Sequence, residues 1–179
     1  EPITILGTVT TTSYWLQEFQ KDGTVTGLLE GKFVKDKFAG TWYSTSSATD
    51  LSFDFTEKDT VLNGIDTAFA AMDIAGKYFF KEGNDREGGM NVRLLNSNLL
   101  SFDISSVTGP PSYNVANVAA DSLTILGNKI IYKSPELETC KFSIKFYKDF
   151  AVIDYIDNQF NCCFGLNASI DGIFLKIKP

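Results

Sequence analysis

The chain has 179 residues, of which 44% are hydrophobic and 21% are charged, a balance that argues against intrinsic disorder. Its net charge of −6 argues against nucleic acid as a partner, because the phosphate backbone is bound through clustered Lys and Arg side chains. No run of roughly 18–20 apolar residues is present, so we expect no transmembrane helix. The length is sufficient for one large β domain or two smaller ones.

Alternating apolar and polar residues predict strands throughout the first third of the chain. Asp22-Gly23 predicts a hairpin turn, because both residue types tolerate a positive φ. Gly27 and Gly31 are expected to bend or bulge the long strand that follows this turn. The predicted strands cover residues 3–9, 13–20, 24–34, 37–44 and 50–56.

The alternation stops after residue 56. Apolar residues then recur every three or four positions, a spacing that is compatible with one short amphipathic helix. Gly64 weakens the helix prediction, and an extended linker is the alternative. We therefore expect an N-terminal β module over residues 1–60, a linker or short helix over 61–73, and a second β domain over 74–179.

Strand patterns resume in the second part of the chain. Phe142, Ile144 and Phe146 alternate with polar residues, as in a sheet with one face in the core and the other in water. Many short strands joined by tight turns favour an all-β fold, an antiparallel meander forming a barrel, with a smaller N-terminal β-sheet or half-barrel packed on it. The predicted strands cover residues 75–81, 89–95, 98–107, 121–126, 129–133, 140–147, 150–156 and 169–177.

The chain has three cysteines. In an exported protein, Cys140 would pair with Cys162 or Cys163 and close a loop of about twenty residues. Cys162 is the favoured partner, and three reduced core thiols are the alternative, because the number of cysteines is odd.

The residue types required for most catalytic and metal sites are missing. The chain has no His, which excludes Ser-His-Asp and Cys-His activation of a nucleophile. Zinc would have to be held by thiolates and carboxylates, and the adjacent cysteines lack the usual spacing. Paired carboxylates are more often solvated charges at strand edges than catalytic groups. We expect no enzyme activity, no cofactor and no metal.

Two features are candidates for recognition. The loop of Pro110, Pro111, Ser112, Tyr113 and Asn114 is stiffened by its prolines, so it loses little conformational entropy on binding.

Aromatic residues form the second candidate, since Trp15, Trp42 and Tyr43 combine contact area with a polar group. Both candidates also have a structural interpretation, as an ordinary loop and as core aromatics.

Five glycine-, aromatic- and cysteine-containing motifs occur between residues 74 and 176. They are Gly76-Lys-Tyr78, Gly127-Asn-Lys-Ile-Ile-Tyr132, Cys140-Lys-Phe-Ser-Ile-Lys-Phe146, Cys162-Cys-Phe-Gly165 and Gly172-Ile-Phe-Leu-Lys176. This part of the chain resembles small bacterial periplasmic and outer-membrane lipoprotein domains related to the lysozyme inhibitors. The resemblance implies an antiparallel barrel with a Cys140–Cys162 disulfide. Cys163 and Phe174 depart from the glycine and tyrosine that are usual in those domains.

The Gly40-Thr-Trp42 strand and the β-rich composition of the first 60 residues resemble β modules of proteins that Bacteroidetes secrete. Together the two resemblances predict a non-enzymatic binding protein in the periplasm, on the outer membrane as a lipoprotein, or secreted. Its export signal, and any lipid-anchored segment, would have been removed from the N-terminus. The expected partner is a protein such as lysozyme, and the alternative is a lipocalin-like module for small ligands or glycans.

Overall fold

The computed structural model describes residues 3–9, 14–34, 37–56, 74–147, 149–156 and 162–177, and this part of the chain confirms the all-β prediction. The predicted linker or helix over 61–73 lies outside the described residues. Thirteen strands form one continuous sheet in the described part. The strands are β1 (Thr4–Val9), β2 (Tyr14–Phe19), β3 (Thr24–Val34), β4 (Lys37–Ser44), β5 (Asp50–Thr56), β6 (Gly76–Glu82), β7 (Arg86–Leu94), β8 (Leu99–Thr108), β9 (Val115–Thr124), β10 (Lys129–Lys133), β11 (Lys141–Phe146), β12 (Phe150–Tyr155) and β13 (Gly172–Ile177).

The first five strands form an antiparallel meander in chain order. The predicted hairpin joins β2 to β3, where Gly23 has a φ of 87° and the Asp22 carboxylate accepts a hydrogen bond from the Thr24 N–H at 2.9 Å. A register shift between Glu18 and Phe19 lies opposite Gly27, as expected for a bulged strand. These features set which face of the meander each side chain occupies.

The remaining eight strands form a second antiparallel meander, in which the first strand, β6, pairs with the last, β13. Each strand also pairs with its chain neighbour, except that no ladder joins β9 to β10 in the described residues. An isolated bridge joins Leu126, in the segment that connects the two strands, to Lys129 at the start of β10. Seven of the eight ladders of an eight-stranded barrel are thus present, and the predicted closure is not confirmed.

The second meander nevertheless curls around its own core. Phe102 on β8 and Phe142 on β11 are five strand steps apart, which is about 24 Å along a flat sheet. Their ring centroids lie only 6.0 Å apart, and those of Tyr78 and Phe146 lie 6.1 Å apart. The sheet therefore bends until distant strands face one another.

The interior of the curled sheet is filled by side chains. Alternate residues of each strand point inward, as in β7, where Gly88, Met90 and Val92 are buried and their neighbours are not. The largest side chains with almost no exposed surface are Tyr78, Phe19, Phe80, Phe142, Phe146, Phe174, Ile74, Leu100, Ile130, Ile144, Ile153 and Ile170.

The N-terminal meander joins the second one through a short parallel ladder between β3 and β6, in which Thr24 pairs with Lys81. Phe19 and Val25 belong to the same buried cluster as the residues of the second meander. The buried Gln17 amide donates to the Glu82 carboxylate at 2.6 Å. A shared apolar core, this side-chain hydrogen bond and a backbone hydrogen bond from the Lys81 N–H to the Gly23 carbonyl thus cross the junction.

The Cys140–Cys162 disulfide is present, with a Cα–Cα distance of 4.4 Å, and confirms the pairing favoured from the sequence. It ties the segment before β11 to the segment before β13, and Cys163 is free and exposed. The two cysteines are 22 residues apart, so cross-linking them restricts the unfolded chain by about 3 kcal/mol in the chain-entropy model.

We predict that replacing both cysteines of the disulfide with serine lowers the unfolding midpoint by roughly 6–12 °C, the equivalent of about 3 kcal/mol in a chain of this size. Differential scanning calorimetry of the oxidised proteins measures the shift. Cys163→Ser is the control and should leave the midpoint unchanged. Equal midpoints for the double variant and the unaltered protein would contradict the stabilising role.

Candidate functional site

Three connecting segments meet at one end of the curled sheet: the β6–β7 turn (83–85), the β8–β9 loop (109–114) and the described part of the β12–β13 connection (162–171). They share this end because consecutive antiparallel strands reverse direction. Backbone hydrogen bonds run from the Gly109 N–H to the Asp85 carbonyl at 2.6 Å, and from the Gly165 N–H to the carbonyl of Val115, the first residue of β9, at 3.3 Å. We call this surface the loop end.

The β8–β9 loop is anchored on both sides. The Thr108 N–H donates to the Asn114 carbonyl at 2.9 Å, and the Asn114 N–H donates to the Thr108 hydroxyl at 2.9 Å. The Asn114 side-chain amide donates to the Leu166 carbonyl at 2.7 Å. At the other side, a Cβ at Gly109 would collide with the Asn84 backbone, so the turn and the loop are in close contact.

The tip of the loop projects into solvent. Pro110, Pro111 and Ser112 are exposed, and Tyr113 is 62% exposed. Tyr113 also has a φ of 46°, which is uncommon for a residue with a side chain. Of the five residues predicted for this loop, four are therefore available for contact and Asn114 holds the loop in place.

An apolar residue that the sequence analysis missed lies beside the loop. Leu166 is 78% exposed, and its carbonyl is the acceptor for Asn114. A cleft of about 530 Å³ next to it is bordered by Tyr155, Cys163 and Asp171. A leucine between turn-forming residues, in Gly165-Leu-Asn167, was the available signal, but its proximity to residue 114 depends on folding.

A cluster of charged and polar side chains closes the interior below the loop end. Arg86 and Glu82 each have only 17% of their side-chain surface exposed, and Arg86 Nη2 lies 3.4 Å from Glu82 Oε1. Arg86 Nη1 donates to the Ser169 hydroxyl at 2.9 Å and to the Asp171 backbone carbonyl at 3.1 Å. The guanidinium also stacks over Phe80, 4.8 Å from the ring centroid. This cluster holds 169–171 against the start of β7.

Two of the three aromatic residues predicted as a recognition surface project to opposite faces of β4. Trp42 is partly buried over Gly27, and its indole N–H donates to the Glu18 carboxylate at 3.1 Å. Tyr43, the next residue along β4, therefore projects to the opposite face and is 39% exposed. Trp15 is on β2, and its backbone pairs with Glu30 of β3. Trp42 and Tyr43 do not share one surface.

No group of three or more His, Cys, Asp or Glu side chains in the described residues is arranged to hold a metal ion. Within the same part of the chain, no helix has the length and apolar character needed to cross a membrane. No family model, no curated protein and no solved structure matches this chain.

Two carboxyl groups near the loop end repel each other. Partial burial raises the pKa of Asp154, and the negative charge of Asp171 raises it further, while Lys129 partly opposes the rise. Burial also raises the pKa of the nearby Tyr155 hydroxyl. Because the pKa of Asp154 is higher in the folded state, its ionised form disfavours folding above that pKa, and protonation removes this penalty as the pH falls.

We predict that Asp154→Asn raises the free energy of unfolding at pH 7 by roughly 0.2–0.5 kcal/mol, a small value because solvent screens a half-exposed charge. The gain should vanish near pH 3, where the unaltered carboxyl is already protonated. Urea denaturation at both pH values measures it. Asp121→Asn, on the exposed side of β9, controls for the loss of one negative charge. A gain of equal size at both pH values would contradict the electrostatic cause.

Proposed function

We propose that this protein is an exported, non-catalytic binding protein of the bacterial envelope, which contacts a protein partner through its loop end. The observation that carries the proposal is the position of Tyr113, which is 62% exposed on a loop anchored from both sides. Tyrosine is enriched among the residues that dominate binding energy. An anchored loop loses little conformational freedom when a partner binds.

The proposed partner is a lysozyme. The resemblance of residues 74–176 to domains related to the lysozyme inhibitors supports it, and so does the net charge of −6. Lysozymes are basic enzymes, and an acidic protein attracts a basic partner over distances of about a Debye length, which speeds their encounter. Tyr113, Pro110 and Pro111 would then enter the cleft of the enzyme.

The disulfide supports the proposed location. Cys140 and Cys162 form a bond that persists in oxidising compartments and is rare in the reducing cytosol. The periplasm, the outer membrane and the extracellular medium all meet this condition. The absence of histidine from the sequence argues against Ser-His-Asp and Cys-His catalysis.

The alternative, a lipocalin-like carrier of small ligands, requires space inside the barrel. Here Tyr78, Phe80 and Phe142 occupy the interior and are almost fully buried, which weighs against that role. Binding of a glycan on the outer surface remains compatible with a filled interior.

We predict that the oxidised protein inhibits at least one of the c-, g- and i-type lysozymes at micromolar or lower concentration, measured as the rate of lysis of bacterial cell walls. Tyr113→Ala should weaken inhibition at least about tenfold, because it removes the aromatic contact at the loop tip. Tyr43→Ala, which removes an exposed tyrosine from β4, is the matched control and should inhibit normally.

Two results would count against the proposal in different ways. No inhibition of any class by the folded protein would overturn lysozyme as the partner. Inhibition that survives Tyr113→Ala would retain the partner and exclude this loop as the contact.

A further inference from the structure

A second cavity lies on the outer face of the curled sheet, away from the loop tip. It has a volume of about 630 Å³ and crosses β6, β7, β8 and β9. The cavity forms because, in one row across the sheet, the outward-facing residues on β7 and β8 are smaller than those on β6 and β9 on either side. Phe79 pairs with Gly89, Gly89 with Ser105, and Ser105 with Asn117 along this row. We call this cavity the outer groove.

Gly89 forms the floor of the outer groove, and internal packing does not require a glycine there. A Cβ added at Gly89 would meet only ordinary contacts, 3.8 Å from the Tyr78 carbonyl oxygen and 3.9 Å from the Phe79 ring. Its neighbour Gly88 differs, because a Cβ there would lie 2.5 Å from the ring of Phe80. Glycine inside a strand weakens the strand, and one recurrent reason for it is close approach of a ligand.

One wall of the outer groove is apolar. Phe79 is half-buried, and Ile177 lies beside it on the adjacent strand β13. The β2–β3 turn packs against this wall, since a Cβ at Gly23 would lie 2.9 Å from the Phe79 ring and 3.3 Å from Ile177. This contact fixes the position of the Phe79 ring at the side of the groove, where the ring can cover the apolar face of a ligand.

Neutral polar groups, the exposed Lys77 and the Asp103 carboxylate of an exposed ion pair border the rest of the outer groove. Asn117 and Ser105 are exposed on β9 and β8, and Asn91 and Asp103 pair across β7 and β8. The Asn91 side-chain amide is oriented by its hydrogen bonds, and its oxygen accepts a hydrogen bond from Arg93 Nη2 at 2.9 Å. Arg93 in turn lies 3.5 Å from the Asp103 carboxylate. The nearby charges are of both signs, so the groove favours neither an anion nor a cation.

We propose that the outer groove binds a neutral glycan. A pyranose ring presents an apolar C–H face and a rim of hydroxyl groups, and the groove offers the matching pair of surfaces. The Phe79 ring would pack on the C–H face, while the amides of Asn117 and Asn91 and the Asp103 carboxylate provide donors and acceptors for hydroxyl groups. The volume of the groove is in the range of small-ligand pockets. Gly89 leaves space for the sugar to reach the backbone.

Binding in the outer groove does not depend on the proposed contact with a protein, because the two sites use different residues. Tyr113 and Leu166 are at the loop end, and neither borders the outer groove. A variant of one site therefore reports on that site alone.

The experiment uses the full, oxidised chain on an array of neutral oligosaccharides that includes β-linked glucans, xylans, mannans and N-acetylglucosamine oligomers. Titration calorimetry then measures each retained sugar, with expected dissociation constants between roughly 10 μM and 1 mM for an open groove. Gly89→Val fills the floor and should weaken binding at least about tenfold. The substitution replaces glycine with a good strand residue, so the unfolding midpoint should not fall.

Thr124→Val, an exposed substitution on β9 outside the groove, is the matched control and should bind normally. Asn117→Ala, which removes one amide and no core contact, should also weaken binding and guards against a folding defect in Gly89→Val. Retention of no neutral glycan would overturn the proposal, as would retention of acidic glycans alone. Equal affinity of Gly89→Val and the unaltered protein for a retained glycan would overturn the groove as its site.

Discussion

The fold depends on one geometric constraint: a single sheet has to enclose its own apolar side chains. The contact of Phe102 with Phe142 brings together strands that are five steps apart, and it is possible only because the sheet curls. The antiparallel order places alternate turns at a common end, and curvature brings them close together there, where the β8–β9 loop and residues 162–171 hold each other. The side chains enclosed by the curled sheet fill its interior. Both proposed binding surfaces therefore lie outside, one at the loop end and one on the outer face.

The junction between the two meanders follows from the same constraint. β13 pairs with the start of β6, and β3 pairs with its end, so the N-terminal meander contributes where the edge of β6 is no longer covered by β13. Phe19 and Val25 extend the core at this place. The Arg86 cluster supplies charges and hydrogen bonds immediately beside it, since buried charged groups require partners. Apolar packing and polar pairing thus meet at the loop end and stiffen it.

Local patterns predicted the strands well where side chains alternate clearly. The alternation of Phe142, Ile144 and Phe146 predicted β11, and the Asp22-Gly23 turn predicted the β2–β3 hairpin. The start of β9 was missed: the prediction began at residue 121, whereas the strand begins at Val115. Its first half contains two alanines and an asparagine, which have low strand propensity, alongside two valines. The parallel β3–β6 ladder could not be predicted, because it joins residues more than fifty positions apart.

For the candidate sites too, local features could be predicted from the sequence and contacts between distant residues could not. Prolines and a tyrosine identified the exposed loop, since their effects are local. The support from Leu166 came only from folding, because the Asn114–Leu166 hydrogen bond spans 52 residues. For Gly89, the sequence shows a glycine in a strand but not whether a neighbouring side chain fills the space above it. That distinction depends on where the Phe79 and Phe80 rings point.

Cys163 gives the molecule a single reactive thiol, because the other two cysteines are bonded to each other. It is exposed, and it lines the cleft beside Leu166. A maleimide fluorophore placed there reports directly on whatever approaches the loop end, without any engineered cysteine. The same thiol is the chain neighbour of Cys162, so it is also placed to exchange with the Cys140–Cys162 disulfide. Capping Cys163 with the label therefore also protects the original pairing.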